Sequence, residues 1–257
     1  MTSIECRALG VLRNARPVLE DISFRANGGE LIGVIGPNGA GKSTLLRAMA
    51  GLLPSSGEIL WDGGPIKTVP RAERARRLAY MPQEREVHWS LPCRDVVLLG
   101  RLPHQSRLAG PSASDRKIAL ETMDCMDVAR FADRAFDTLS GGEQARVLIA
   151  RMLAQQPQAI LADEPVNGLD PAHQIGLMQT FHALARGGQA VLVSLHDLTL
   201  AGQWCDRLLV LSNGRLCADA APREVYAGPL LREIYGIETL PVEINGMPSV
   251  IPYKTVS

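Results

Sequence analysis

Nine residues, Gly36-Pro37-Asn38-Gly39-Ala40-Gly41-Lys42-Ser43-Thr44, follow the spacing G-x-x-x-x-G-K-[ST]. That spacing suits a backbone wrapped closely around a polyphosphate. Many N–H donors must converge on such a ligand. Gly36, Gly39 and Gly41 allow the approach and the positive φ angles that a side chain would block. Lys42 adds a mobile cation for the outer phosphates, and the Ser43 hydroxyl is a ligand for Mg²⁺. Pro37, Asn38, Ala40 and Thr44 complete the loop.

Three other stretches carry groups of matching chemistry. Asp163-Glu164 follows the apolar run Ala159-Ile160-Leu161-Ala162. Acidic groups at the end of a buried parallel strand sit where α/β sheets bind ligands. There Asp163 serves a metal through its water, and Glu164 a water molecule as general base. Ser194-Leu195-His196-Asp197 ends a second apolar run, Ala190-Val191-Leu192-Val193, and places His196 for a γ-phosphate or water contact. Leu139-Ser140-Gly141-Gly142-Glu143-Gln144 precedes a helical pattern from Ala145 to Gln155. Ser140 and Glu143 have capping-box spacing, and the two glycines expose N–H groups beside a helix start, which favours an anion.

The elements that must hold these groups are legible from periodicity. Leu31-Ile32-Gly33-Val34-Ile35 reads as a buried strand before the loop, and Thr44 to Ala50 as the helix after it. The two later apolar runs suit central parallel strands, with the Asp163-Glu164 strand expected beside the loop. A helix is predicted from about Pro171 to Arg186, with Pro at a permitted first-turn position. Leu78 to Met81 reads as a strand ending at Pro82-Gln83, and Arg71 to Arg77 as a basic, solvated helix. Asn213-Gly214 between Leu208-Leu209-Val210-Leu211 and Leu216 is a hairpin signal. Residues 84–138 differ in character, with helical patterns around a Gly110-Pro111-Ser112 break, and read as an inserted helical subdomain.

Composition sets limits. The chain has 257 residues, 46% of them hydrophobic, enough for a large core. Lys plus Arg and Asp plus Glu both number 27, so the basic excess of a general nucleic-acid binder is missing. Five scattered cysteines, Cys6, Cys93, Cys125, Cys205 and Cys217, have neither metal nor redox spacing and read as buried free thiols. No apolar run approaches the ~20 residues of a membrane-spanning helix, and no secretory signal is seen, so a cytoplasmic protein is expected.

Taken in order, these motifs resemble those of the ATP-binding cassette (ABC) family along nearly the whole chain. The resemblance implies an α/β fold: a P-loop NTPase (RecA-like) core at about residues 1–84 and 145–240, with an antiparallel β subdomain. It also implies an inserted helical subdomain at about 85–144 and a C-terminal tail at 241–257. Gly36 to Thr44 correspond to the Walker A loop, and Gln83 to the glutamine that senses Mg²⁺ and the membrane partner. Ser140, Gly141, Gly142 and Glu143 fall in the signature, Asp163 and Glu164 form the Walker B pair, Asp170 is the D-loop aspartate, and His196 the switch histidine. Implied with them are ATP as ligand, Mg²⁺ held by Ser43, Gln83 and Asp163, and a head-to-tail homodimer. In that dimer the signature of one protomer closes over the γ-phosphate held by the other. The family usually stacks an aromatic side chain on adenine. Here Arg13 stands in that place, with Val18 as a second wall.

Leu99-Gly100-Arg101-Leu102-Pro103-His104 and the tail Leu231 to Pro252 look like ATPase subunits that energise uptake of iron-siderophore, haem or cobalamin. The resemblance then implies polytopic permease subunits, indirectly a substrate-binding protein, and a place at the cytoplasmic face of the inner membrane. Val87, Trp89 and Leu91 form an apolar alternation that fits either a groove for a short permease helix or the subdomain core. Two alternatives stay open: an importer ATPase for another small solute, and a soluble scaffold of the cluster-assembly type.

Overall fold

The sequence alternates apolar runs that end in Gly, Ser or Asp with helical patterns, and the chain folds accordingly around a six-stranded sheet. In a computed structural model the described residues are 2–83, 90–105 and 110–256. The sheet contains β3 (Leu31–Ile35), β6 (Leu78–Met81), β7 (Ala159–Ala162), β8 (Ala190–Ser194), β9 (Arg207–Ser212) and β10 (Arg215–Ala220). Its order is β10-β9-β3-β8-β7-β6, with β10 antiparallel and the others parallel. β3, β7 and β8 are apolar at nearly every position because both faces are covered. Leu31 and Ile35 face one buried cluster, whereas Ile32 and Val34 face another, as strand alternation requires.

The end of β7, which leads into Asp163-Glu164, comes beside the phosphate loop as expected, with Glu164 in the same pocket wall, although β7 is not hydrogen-bonded to β3. β8 intervenes, pairing Ser194 with Val34 on one side and Val193 with Ala162 on the other. All these strands are equally apolar, so their composition carries no information on order.

The second cluster is closed by α1 (Lys42–Met49) and by a four-stranded antiparallel sheet of order β2-β1-β4-β5. Its strands are β1 (Ser3–Arg13), β2 (Arg16–Asn27), β4 (Ser56–Trp61) and β5 (Gly64–Pro65). β1 and β2 are joined by Asn14-Ala15, both at positive φ, the conformation of a tight two-residue hairpin turn. That turn puts Arg13 at the strand end, paired with Arg16.

The first cluster is closed by α3 (Cys93–Leu98), α4 (Ala113–Cys125), α5 (Gly141–Ala154), α6 (Pro171–Arg186) and α7 (Leu198–Trp204). α2 (Arg71–Arg77) lies at the surface with no buried residue. α5 begins at Gly141, not Ala145. Ser140 is its N-cap, with both hydrogen bonds of the capping box, so the two glycines lie inside the first turn. α5 packs against α3, α4 and β6, so a boundary at residue 145 divides one helix. The chain ends in α8 (Pro222–Ala227), α9 (Leu230–Tyr235) and a hairpin of β11 (Ile237–Ile244) and β12 (Met247–Thr255). A boundary at residue 240 therefore falls within β11.

The thiols divide. Cys6, Cys93 and Cys205 are buried, but Cys125 and Cys217 are exposed, which corrects the expectation of uniform burial. Cys125 ends α4, and Cys217 lies on an outward position of the edge strand β10. Val87 and Trp89 lie outside the described residues. Leu91 is partly exposed.

Candidate nucleotide site

At the C-terminal ends of β3, β7 and β8 the chain opens into a pocket of about 630 Å³. Its shape starts with the loop after β3. Gly36 has φ 151, and a Cβ there would stand 2.2 Å from the Leu211 carbonyl oxygen. Gly41, in the left-handed region, caps α1, and a Cβ there would meet Leu19 at 2.6 Å. Glycine is thus favoured at both ends by dihedral angle, and at Gly36 also by packing against backbone. α1 starts at Lys42, so its first-turn N–H groups and the positive end of its dipole face the pocket.

Lys42 is buried. Its Nζ donates to the carbonyls of Gly36 (2.7 Å) and Pro37 (3.2 Å). Burial holds its pKa below the ordinary lysine value, and the charges of Glu164 and Asp163 oppose that shift. Asn38, Gly39, Ala40, Gly41, Lys42, Ser43 and Thr44 line the pocket together with Arg13, Val18, Gln83, Glu164 and His196. Gly36 and Pro37 lie behind them and act through their carbonyls.

The two acids take different positions. Asp163 is fully buried, and its Oδ1 accepts from the Ser194 hydroxyl at 2.7 Å. Its Oδ2 is buried without a hydrogen-bond partner among the described residues. An orphaned carboxylate oxygen of this kind is costly unless a cation or its water completes it. Among the described residues, no cluster of three or more His, Cys, Asp or Glu could hold a metal by itself. Mg²⁺ does not need one, since it binds through one or two protein groups, waters and substrate phosphates. Asp163, the Ser43 hydroxyl and Gln83 fit that requirement.

Glu164 has φ 48, uncommon for a residue with a side chain, and its N–H donates to Ser194 Oγ at 2.8 Å. Ser194 thus clamps both acids with one hydroxyl. The Glu164 carboxylate accepts from Gln83 Nε2 (2.6 Å) and Asn167 Nδ2 (2.5 Å) on one oxygen. His196 Nε2 meets the other oxygen. Ser194 and Asn167 were not singled out from the sequence. The usable signals were a polar residue closing an apolar strand and a short amide three residues after the acid pair.

The remaining predicted residues lie elsewhere. Ser140, Gly141, Gly142 and Glu143 are not in the pocket wall. Ser140 N–H and Oγ both donate to Glu143 Oε2, at 2.9 and 2.8 Å. Those bonds hold the Glu143 carboxyl below the usual range, led by the backbone one. Gly141 is exposed with open space around it, and the site of a Gly142 Cβ lies 3.4 Å from the Gly168 carbonyl. Asp170 caps α6, accepting from His173 N–H at 3.0 Å. In one chain, therefore, the donor-rich start of α5 and the phosphate loop are separate.

Comparison with known proteins agrees with this geometry. A family model described as ABC transporter matches residues 19–167. The chain is 44% identical over 238 residues to the hemin import ATP-binding protein HmuV of Pseudomonas aeruginosa, covering 90% of this chain and 92% of that one. It is 40% identical over 256 residues to the HmuV of Rhodococcus jostii, covering 98% and 87%. A solved ATP-binding subunit of an ABC transporter is 28% identical with TM-score 0.78, covering 90% of this chain and 97% of that one. A metal-chelate type ABC transporter, captured facing inward, shares the fold with TM-score 0.84 at 24% identity, covering 98% of each chain. Loop, paired acids and histidine on one sheet edge, together with these relatives, place the chain in the ABC transporter family as one of its ATPases.

Proposed function

We propose that this chain is the ATP-hydrolysing subunit of an importer for a metal chelate, with haem the foremost candidate, and that it drives a separate membrane permease as a head-to-tail pair. The observation that carries the solute is the similarity to curated hemin import ATP-binding proteins, at 39–44% identity across at least 90% of this chain. The motor part rests on the pocket. Lys42 and the α1 N–H groups take the β- and γ-phosphates. Arg13 lays its guanidinium plane on the base and Val18 covers part of it. When bound, Mg²⁺ neutralises charge on the phosphate oxygens, held by Asp163, Ser43 and Gln83.

Glu164 takes the proton of the attacking water. Its carboxylate is held by Gln83 and Asn167 on one oxygen and by His196 on the other, which fixes its orientation toward that water. The His196 side chain is 40% exposed, so water reaches this side of the carboxylate. Asp163 stays clamped by Ser194 throughout, keeping its other oxygen toward the metal. Asp170 and the signature residues of one protomer act on the site of the other.

The permease contact fits a groove of about 500 Å³ between the core and the helical subdomain. Its walls include Tyr80, Met81, Pro82, Leu99 and Leu102, with Arg151 as a cationic group at its side. Among the described residues, no helix is long and apolar enough to cross a membrane. The test is purification of the tagged chain from its own cells in mild detergent. It is expected to bring down a polytopic membrane protein, and haem-loaded binding protein should raise ATPase activity of the complex in lipid. Recovery without any membrane protein would favour the cluster-assembly scaffold, and stimulation by another solute would replace haem.

A further inference from the structure

The hairpin turn Asn213-Gly214, between β9 and β10, touches two walls of the pocket at once. Gly214 N–H donates to the Ala40 carbonyl of the phosphate loop at 3.2 Å. Its own carbonyl accepts from the Glu20 N–H of β2 at 2.9 Å. The next residue, Arg215, pairs with the Glu20 carboxylate. β2 also carries Val18, in the pocket wall.

The contact is close. Gly214 has φ 74, and a Cβ there would stand 2.4 Å from the Val18 carbonyl oxygen and 3.5 Å from Leu19 Cα. Both obstacles are backbone, so no side chain can rotate away. The end of β9 abuts the loop as well, through the Leu211 carbonyl against Gly36. The turn is thus wedged between the antiparallel sheet and the phosphate loop, bonded to each through one glycine.

We propose that Gly214 is a positioning residue for nucleotide binding: its two backbone hydrogen bonds set the spacing between Val18 and Ala40. They thereby set the spacing between the wall that takes the base and the loop that takes the phosphates. The inference rests on the nucleotide reading of the pocket. A nucleoside triphosphate spans both walls and needs them at one separation. Inorganic tripolyphosphate needs the loop alone. A residue that stabilises the fold in general affects both ligands alike, whereas a spacer between the walls affects the one that bridges them.

The experiment measures dissociation constants of the full chain for MgATP and for magnesium tripolyphosphate. Gly214→Ala is expected to weaken MgATP about tenfold, equal to ~1.4 kcal/mol, and tripolyphosphate less than about twofold. Equal weakening of both ligands, or of neither, overturns the proposal. Lys42→Ala separates this from failure of the underlying reading. It should lose both ligands, and wild-type affinity there would sink the nucleotide assignment itself. If Gly214→Ala does not fold, the double variant Glu20→Gln, Arg215→Gln takes its place, since Arg215 is exposed, Glu20 is half-buried, and glutamine keeps the size of the Glu20 side chain. A rise in the ratio of the two constants (MgATP over tripolyphosphate) of about twofold supports the spacer, and an unchanged ratio overturns it.

Discussion

The Glu164 carboxylate is the group on which turnover should depend most. Glu164→Gln keeps the shape of the contact net. The amide oxygen can accept from Gln83 and Asn167, and the amide nitrogen can face His196 in its other tautomer. What is lost is the base proposed for Glu164. Steady-state hydrolysis is expected to fall about 10²–10⁴-fold while MgATP binding and ATP-dependent pairing persist. Single-turnover hydrolysis alongside gel filtration with ATP checks both halves, and a variant within tenfold of wild type would remove Glu164 from the base role. The phosphate loop and the acid pair were legible because glycines, a lysine and two adjacent acids interrupt apolar runs where packing alone has no use for them. Ser194 and Asn167 were not, because a serine at a strand end and an asparagine in a turn have ordinary local uses. Their part is created by tertiary approach, through Ser194 Oγ to Asp163 and Asn167 to Glu164.

At the scale of elements, the helical subdomain is fastened by Leu99-Gly100-Arg101-Leu102-Pro103-His104. The Arg101 guanidinium is buried, with Nε donating to Asp115 Oδ1 at 2.8 Å and another nitrogen to the Ala154 carbonyl at 2.8 Å. His104 reaches the Gln155 carbonyl at 2.8 Å. The motif thus ties the end of α5 to the start of α4, an anchoring role that its use as a mark of subgroup did not reveal. Removing one partner of a buried ion pair leaves the other uncompensated, so Asp115→Asn should cost about 3 kcal/mol. The sign with pH follows from the carboxyl, held at about 2 instead of its ordinary 3.8 by Arg101 first and then Ser112. That stabilisation is present above pH 3.8 and lost as pH falls through about 2. Urea melts between pH 5 and 2 should show the wild type losing its advantage over Asp115→Asn in that window. A constant gap would contradict the assignment. Legibility at this scale followed local chemistry. α6 spans Pro171–Arg186 as its first-turn proline indicated, and Asn213-Gly214 is a hairpin turn. The periodicity shows α5 only from Ala145 because Gly141 and Gly142 in its first turn carry no side chains to mark a face. Strand order was hidden because register and neighbours are decided across the sheet.

For the whole molecule, the separation of the α5 start from the phosphate loop is the decisive feature. The pocket supplies cations and donors on one side of a nucleotide, and Gly141 and Gly142, in the first turn of α5, lie outside its wall. In the head-to-tail pair proposed above, two-fold symmetry would bring each helix start over the other protomer's pocket. ATP would then form part of the interface, and its hydrolysis would withdraw that part, so that the pair reopens and moves a membrane partner. Ser140→Arg tests this. Ser140 is outside the pocket wall, so the variant should bind MgATP nearly as the wild type does. It should fail to hydrolyse, because a bulky cation at the helix start displaces the donors from the facing site. Mixing Ser140→Arg with Lys42→Ala chains gives mixed pairs in which one site carries both lesions and the other is assembled from intact halves. Activity should therefore reappear on mixing to the extent that one intact site suffices, and wild-type turnover per chain should rise with concentration through the pairing range. A Ser140→Arg chain with wild-type hydrolysis, or turnover per chain that is flat across that range, would mean that the site is complete within a single chain.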